Sequence, residues 1–386
     1  MNDVDPRASR LTRVYIHLDR LTRNLRRLQE QVGERAVWPV LKADAYGHGA
    51  RLVARHLVGL GYRTFGVADL EEAVALIDAG IQATIIVLSA TLPEHSEALV
   101  AFGCEPVVCT LEMAESLARA AQRSGRRVSV HLKVDTGMGR IGIRPDQVTQ
   151  FLERCRDFPA LRVRGLMSHF PCADGADKRF SQQQIEQFRR VVEATKGYPI
   201  DVRHMANSAA VFDLSDSYFD AVRPGIAVYG LRPSVEIQNL RVCELEPVLE
   251  WKTRITFLKE VPAGVGLSYG HGFHTQRPSL IATVPVGYAD GSRRTLSNDL
   301  PMLVRGVRCP QVGRITMDMS LVDVTELRGN VGLGDDVVLI GRQGSDELTA
   351  DELAARLGTI NYEVVSTISH RVPRVVAEGN GAYATT

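Results

Sequence analysis

The residue in this sequence best placed for covalent chemistry is Lys42. A short apolar run, Val37 to Leu41, broken only by Pro39, leads directly into Lys42-Ala43-Asp44-Ala45-Tyr46-Gly47-His48-Gly49. Apolar surroundings disfavour the ammonium and lower a lysine's pKa. A lysine depressed in this way is a nucleophile, able to form a Schiff base, or a general base. A surface lysine that happens to follow a strand is the plain alternative. Further along, Lys133, His169, the pair Asn207-Ser208 and Arg223, which precedes Pro224-Gly225-Ile226, each stand at or just after a β-rich run.

Those runs are the elements that must position these side chains. Up to about residue 240 the chain alternates short β-rich segments with amphipathic helical ones, the pattern of repeated βα units. The first helix follows Asp19, a good N-cap, with Leu21, Leu25, Leu28 and Val32 at helical spacing. Strands are expected near 37–41, 64–68, 84–89, 105–109, 128–134, 163–168, 202–205 and 220–223. Eight parallel strands close a (β/α)8 barrel, whose chemistry sits at the C-terminal ends of the strands. On that rule Lys42, Lys133, His169, Asn207, Ser208 and Arg223 converge on one rim. The loops after strands seven and eight commonly bind phosphate. Gly225 there would let a phosphate approach the backbone closely, and a tight turn after Pro224 explains the same glycine. An open doubly wound sheet is the competing fold, but no Gly-x-Gly-x-x-Gly follows the first strand.

Near Arg241–Trp251 the character changes to segments rich in Val, Ile, Thr, Gly and Pro. The expected organisation is therefore an α/β barrel over residues 1–242 and a mostly β domain over 243–386. A strand near 13–17 is a candidate to join the second. One helix, Ala350–Leu357, follows Thr349, with Glu352 completing a capping box.

Composition narrows the partners. The chain has 386 residues, 46 basic and 45 acidic, with a net charge of +1, so no polyanion such as nucleic acid is expected. The six cysteines, Cys104, Cys109, Cys155, Cys172, Cys243 and Cys309, form no Cys-x-x-Cys pair, which argues for a reducing compartment and against a structural metal. Residues 1–13 lack the apolar core of a signal peptide. No apolar run reaches the roughly 20 residues of a membrane span. The expected location is the cytoplasm.

The run from Pro39 to Gly49 resembles the cofactor-lysine signature of the alanine racemases, pyridoxal 5′-phosphate (PLP) enzymes. The resemblance extends from about Arg13 to Val376 with its motifs in order. Lys133-Val134-Asp135-Thr136-Gly137-Met138-Gly139-Arg140 is similar to the family's arginine loop. His204-Met205-Ala206-Asn207-Ser208 and Val222-Arg223-Pro224-Gly225-Ile226 resemble its phosphate and pyridine-nitrogen segments. Val265-Gly266-Leu267-Ser268-Tyr269-Gly270 resembles the segment that carries its second base. Gly287-Tyr288-Ala289-Asp290-Gly291, Met317-Asp318 and Ile360-Asn361-Tyr362-Glu363 are similar to later segments. Thr316 departs from the pattern, since many relatives carry cysteine before the Met-Asp pair.

The resemblance implies that PLP is held by Lys42, with Tyr46, His169, Asn207, Ser208, Arg223, Gly225, Ile226 and Tyr362 around it. Racemisation needs proton access to both faces of Cα, and the resemblance assigns Lys42 to the D-face and Tyr269 to the L-face. Tyrosine ordinarily titrates near 10, so Tyr269 needs help, and the family pattern suggests a chain through His169 to Arg223. An arginine against the pyridine nitrogen cannot accept its proton, which restrains the electron sink and favours simple reprotonation. Arg140 and the Met317 N–H are implied for the substrate carboxylate. Lys133 is implied to be carbamylated, orienting Arg140, and Asp318 and Tyr288 to support the site. The implied partner is a second copy of the chain in a homodimer with shared active sites. The implied role is supply of D-alanine for peptidoglycan. A racemase of broader range, accepting serine, and a PLP-binding protein without turnover are the alternatives. A barrel-type decarboxylase would need an acid where Arg223 stands.

Overall fold

A computed structural model describes residues 10–239 and 244–377. It divides into two compact units, residues 19–246 and residues 10–18 with 247–377. The expected boundary at 242/243, and Cys243 with it, lies outside the described residues. Residues 10–18 belong to the second unit because their strand, β1 (Arg13–Ile16), pairs with β10 (Leu249–Arg254) and β20 (Arg374–Val376).

The first unit is built on eight parallel strands: β2 (Ala36–Val37), β3 (Thr64–Val67), β4 (Thr84–Val87), β5 (Glu105–Val108), β6 (Val128–Lys133), β7 (Leu161–Met167), β8 (Val202–His204) and β9 (Ala221–Val222). In space they run β2-β9-β8-β7-β6-β5-β4-β3. The chain past β2 closes the ring: Leu41 N–H donates to the Gly66 carbonyl at 2.7 Å, and Gly66 N–H donates to the Pro39 carbonyl at 3.1 Å. The result is a (β/α)8 barrel. The strand expected over 37–41 is regular only to Val37, because Pro39 has no N–H to give the ladder; pairing resumes at Val40.

Helices cover the outside. Leu18–Val32 buries Leu21, Leu25, Leu28 and Val32. Leu70–Asp78 starts at Asp69, whose side chain accepts the Glu72 N–H, the usual remedy for an orphan donor at a helix start. Inside the barrel Trp38, Ile86, Val202 and Ala221 pack together. Two histidines join them, His131 and His204, both fully buried. Gly165 makes room: a Cβ there would lie 2.2 Å from His131 Nδ1.

In the second unit the main sheet adds β15 (Pro301–Val304), β16 (Val307–Pro310), β18 (Asp336–Gln343) and β19 (Asp346–Leu348) to β1, β10 and β20. A second sheet orders β11 (Phe257–Val261), β14 (Ser279–Val284) and β17 (Ser320–Asp323), and β12 (Gly266–Leu267) pairs with β13 (Phe273–His274). Among the described residues no helix is long and apolar enough to cross a membrane.

Candidate active site

Lys42 stands where β2 hands the chain to an unusual turn. Ala43, Asp44, Ala45 and Tyr46 all have φ between 53° and 55°, a full turn of left-handed helix made without glycine. For L-residues this conformation costs roughly 1–2 kcal/mol each, so surrounding bonds must impose it. They are present. Ala43 N–H donates to Glu72 Oε1 at 2.6 Å, Ala45 N–H to the Leu41 carbonyl at 2.8 Å, and Ala50 N–H to Asp44 Oδ1 at 2.7 Å. Lys42 itself opens to solvent, yet the protein around it desolvates the ammonium. That burial, together with the charge of Arg140, lowers its pKa, while Glu72 opposes the shift.

Tyr46 ends the turn with its ring buried against Tyr229, 5.2 Å between centroids. Burial raises its pKa, so it stays a neutral phenol. A Cβ on Gly225 would meet the Tyr46 hydroxyl at 2.2 Å; only glycine lets the strand-eight loop come this close. Ser208 Oγ accepts the Gly225 N–H at 2.8 Å and the Ala227 N–H at 3.3 Å. Between them, the Ile226 N–H has no acceptor among the described residues. Asn207 caps the helix Ser208–Asp213 by accepting the Ala210 N–H at 3.0 Å.

Arg223 is buried, 4 % exposed. Burial pushes its pKa down to about 9, still high enough to remain a cation at neutral pH. Its guanidinium donates to His204 Nδ1 at 2.5 Å and to the carbonyls of Ser168 and Met205 at 2.8 and 3.2 Å. The partner is His204, not the expected His169. His169 lies on the rim with its carbonyl accepting from Gln184 Nε2. Burial and the charges of Lys133, Arg223, Arg140 and Lys42 hold its imidazole well below the usual pKa.

The bonds to His204 continue through the barrel. His204 Nε2 lies 2.8 Å from His131 Nδ1, His131 Nε2 lies 3.0 Å from Glu105 Oε2, and Glu105 also accepts from Arg164. Arginine only donates, so His204 Nδ1 accepts and its Nε2 carries the proton. The same argument puts the His131 proton on Nε2, donated to Glu105. Burial lowers the pKa of both histidines, in keeping with a pair of neutral imidazoles pointing one way. Sequence reasoning missed His131, Glu105 and Glu72. The alternation of apolar and polar residues in β6, Val128-Ser129-Val130-His131, was the available signal for His131.

Lys133 is 2 % exposed, and burial with the neighbouring charges of Arg223 and Arg140 holds its pKa well down. Arg140 is exposed and has no ion-pair or hydrogen-bond partner among the described residues. Its loop is shaped by Asp135, whose carboxylate accepts the Gly137 and Gly139 N–H groups.

The remaining expected residues lie in the second unit. Tyr269 begins a short 3-10 turn behind Ser268, which is held at φ 62° as its hydroxyl donates to the Arg314 carbonyl at 2.6 Å. The Tyr269 side chain is 71 % exposed. Tyr288 and Met317 are laced together by main-chain bonds: Tyr288 N–H to the Thr316 carbonyl at 2.9 Å, Ala289 N–H to the Met317 carbonyl at 3.0 Å. The Met317 N–H has no acceptor among the described residues. Thr316 closes this turn, its Oγ1 accepting the Met319 N–H at 3.1 Å and donating to the Met319 carbonyl at 2.8 Å. The hydroxyl thus gives the departure from the family pattern a structural use. Asp318 is bound to Arg371 at 2.7 Å, and Arg371 also grips the buried Asp290. Tyr362 is half-buried in the helix Asn361–Ser366.

Known proteins bear the same pattern. Residues 16–233 match the model of the alanine racemase N-terminal domain and residues 248–376 that of its C-terminal domain. The alanine racemase of Halothermothrix orenii is 44 % identical over 374 residues, 96 % of this chain and 98 % of that protein. The solved alanine racemase of Clostridium difficile 630 superposes with a TM-score of 0.92 at 35 % identity, spanning 97 % of both chains. That of Bartonella henselae, solved with covalently bound pyridoxal phosphate, does so with a TM-score of 0.84 at 29 % identity over 95 % of this chain and 99 % of that one. The chain belongs to the alanine racemase family.

Proposed function

We propose that this chain interconverts L- and D-alanine using PLP and two bases, Lys42 and Tyr269. The observation that carries the reading is the rim of the barrel unit, where an activated lysine, a buried arginine and a set of phosphate-type donors share one mouth. The rim fits the cofactor on its own chemistry. The Ile226 N–H is without an acceptor among the described residues, the Ser208 hydroxyl and the Gly225 N–H stand beside it, and Gly225 leaves no Cβ in the cradle under Tyr46. Those groups, with Tyr362, would hold the phosphate; Arg223 would face the pyridine nitrogen and Lys42 the aldehyde carbon. Asn207 sets the Ser208 helix in place and His169 lies across the rim. When bound, PLP would withdraw electrons and acidify the substrate Cα proton.

The protein's own groups then do the proton work. Lys42 Nζ, its pKa lowered, holds and returns the proton on the D-face, and Tyr269 Oη does so on the L-face. Arg140 and the Met317 N–H bind the substrate carboxylate. Lys133 cannot remain an ammonium beside two arginines without penalty; carbamylation by CO2 would make it an anion that orients Arg140. Tyr288 and Asp318 support the turn that presents Met317. Arg223, a cation that cannot take a proton from the ring, limits the electron sink, which favours reprotonation over decarboxylation or transamination.

The reading extends to a homodimer with shared sites, to the cytoplasm and to D-alanine supply for peptidoglycan. It is tested by chiral analysis of L-alanine and L-serine incubated with the PLP-loaded protein, and by peptide mapping after borohydride reduction. D-alanine should accumulate to the racemic ratio, with the pyridoxyl group on Lys42. A pyridoxyl group on another lysine, or no D-alanine, would end the proposal. Equal turnover of serine would replace alanine with a broader substrate class.

A further inference from the structure

We infer that Glu72 is a positioning residue for Lys42: one carboxylate both fixes the left-handed turn that begins beside the lysine and supplies the negative charge the lysine meets. The inference rests on the reading of Lys42 as the cofactor-bearing base.

Glu72 lies in the first turn of the helix Leu70–Asp78, and its own N–H is held by Asp69 Oδ1 at 2.9 Å. Its carboxylate then serves two main-chain donors from different parts of the barrel. Oε1 accepts the Ala43 N–H at 2.6 Å, and Oε2 accepts the Ala68 N–H at 2.7 Å. Ala43 is the first left-handed residue after Lys42; Ala68 is the residue just past β3. One side chain therefore pins the start of the turn to the end of the neighbouring strand. Only an ionised carboxylate offers an acceptor to both N–H groups. A glutamine has one acceptor oxygen, and its NH2 would face the other N–H. An aspartate keeps the charge and both oxygens but is one methylene shorter.

The charge acts as well. Lys42 is faced by Arg140 from the loop after β6, by His169 from the loop after β7, and by Glu72. Its own turn carries Asp44 and brings up Tyr46, whose ring centre is 5.9 Å from Nζ. Asp44 is engaged by the Ala50 N–H, and His169 is held neutral by burial and the cations around it. That leaves burial and, after it, Arg140 pressing the lysine down, and Glu72 holding it up. Removing the Glu72 charge should therefore lower the Lys42 pKa further and spoil the aim of its amine together. Glu71, the adjacent acid, is exposed and serves as the control.

The experiment uses the full chain, stripped of cofactor with hydroxylamine, as wild type, Glu72→Gln, Glu72→Asp and Glu71→Gln. Amine labelling of Lys42 is followed against pH by peptide mass mapping, and amide exchange is followed in the peptide containing residues 43–46. With Glu72→Gln the labelling midpoint should fall by about one pH unit and exchange should accelerate, while Glu71→Gln matches wild type. Glu72→Asp should keep the midpoint near wild type yet still loosen the turn, which separates the charge from the brace and serves if Glu72→Gln does not fold. After reloading with PLP, racemisation by Glu72→Gln should drop by up to about 100-fold, the scale of a misplaced group, with partial rescue in Glu72→Asp. A wild-type midpoint and wild-type exchange in whichever Glu72 variant folds would overturn the inference. Failure of the cofactor reading is seen separately: reduced wild type would then carry no pyridoxyl on Lys42, whatever the Glu72 variants do.

Discussion

The two proposed bases reach their task from opposite environments. Lys42 needs a lower pKa to be a base near neutrality, and burial with Arg140 supplies that shift. Tyr269 is a phenol on an exposed turn, 71 % open to solvent in the single chain, so in the proposed dimer its activation would come from the groups it meets across the shared site. Replacing it with phenylalanine removes a proton carrier and no cofactor anchor. Tyr269→Phe should lower racemisation by about 10²–10⁴-fold, the usual contribution of a positioned acid or base, while borohydride still fixes the cofactor on Lys42. Turnover of L-alanine near wild type would assign that face to another group. Arg223 acts differently, as a buried cation at the head of a directed chain through His204 and His131 to Glu105. Arg223→Glu would let the pyridine nitrogen keep a proton and strengthen the electron sink. The expected outcome is slower racemisation with a new long-wavelength absorbance or added transamination. Loss of activity with neither signature would show that Arg223 serves only to hold the fold.

Elements carry the next level, and β1 shows how a distant strand is recruited. Tyr15 pairs with Glu250 of β10, and the Glu250 carboxylate lies 3.2 Å from His17 Nε2 and 2.5 Å from Lys252 Nζ. Burial alone would raise the Glu250 pKa, but the bonds to His17 and Lys252 outweigh it and hold the group down at about 2. A carboxylate lowered from its ordinary value of 4.5 to about 2 favours the folded unit above pH 4.5. That stability, about 3 kcal/mol at the full shift, is lost as pH falls from 4.5 through 2. Acid unfolding of Glu250→Gln should therefore be shallower across this window than that of wild type, measured by denaturant titration at each pH; parallel curves would deny Glu250 this role. The same scale shows what the sequence could carry. Parallel strands announce themselves as short β-rich runs, and their C-terminal ends share a rim, so Lys42, Lys133, His169, Ser208 and Arg223 were legible as neighbours. The left-handed turn was not, because Ala-Asp-Ala-Tyr has no glycine to betray positive φ and the bonds that impose it come from Glu72 and Ala50. The His204–His131–Glu105 chain was equally hidden. Its members sit on β8, β6 and β5, and only closure of the barrel turns them toward one another.

At the scale of the whole molecule, the proposed machinery is split between two units. Lys42, Ser208 and Arg223 belong to residues 19–246, while Tyr269, Tyr288 and Met317 belong to the other unit. The second unit leaves large side chains open: Tyr269 is 71 % exposed, Met317 52 %, Met319 51 % and Tyr288 41 %. Exposed aromatic and methionine side chains are of the kind a partner covers, for such residues are enriched in interfaces. In the proposed homodimer each chain lends its Tyr269 and Met317 to the Lys42 of its partner, a two-fold arrangement with an obligate interface of roughly 2,000 Å² or more. Complementation tests it directly. Lys42→Ala chains lack one base and Tyr269→Ala chains the other, so each homodimer should be inactive. Mixed under conditions that let subunits exchange, they form hybrids in which one site has both substitutions and the other has neither. Each hybrid should then recover up to about half the activity of a wild-type dimer, because the symmetry gives it one of two sites. Native mass spectrometry must show the hybrids at the time of assay. Hybrids present without activity would mean that Lys42 and Tyr269 act within a single chain. In that case the exposed residues of the second unit would have to serve some other contact.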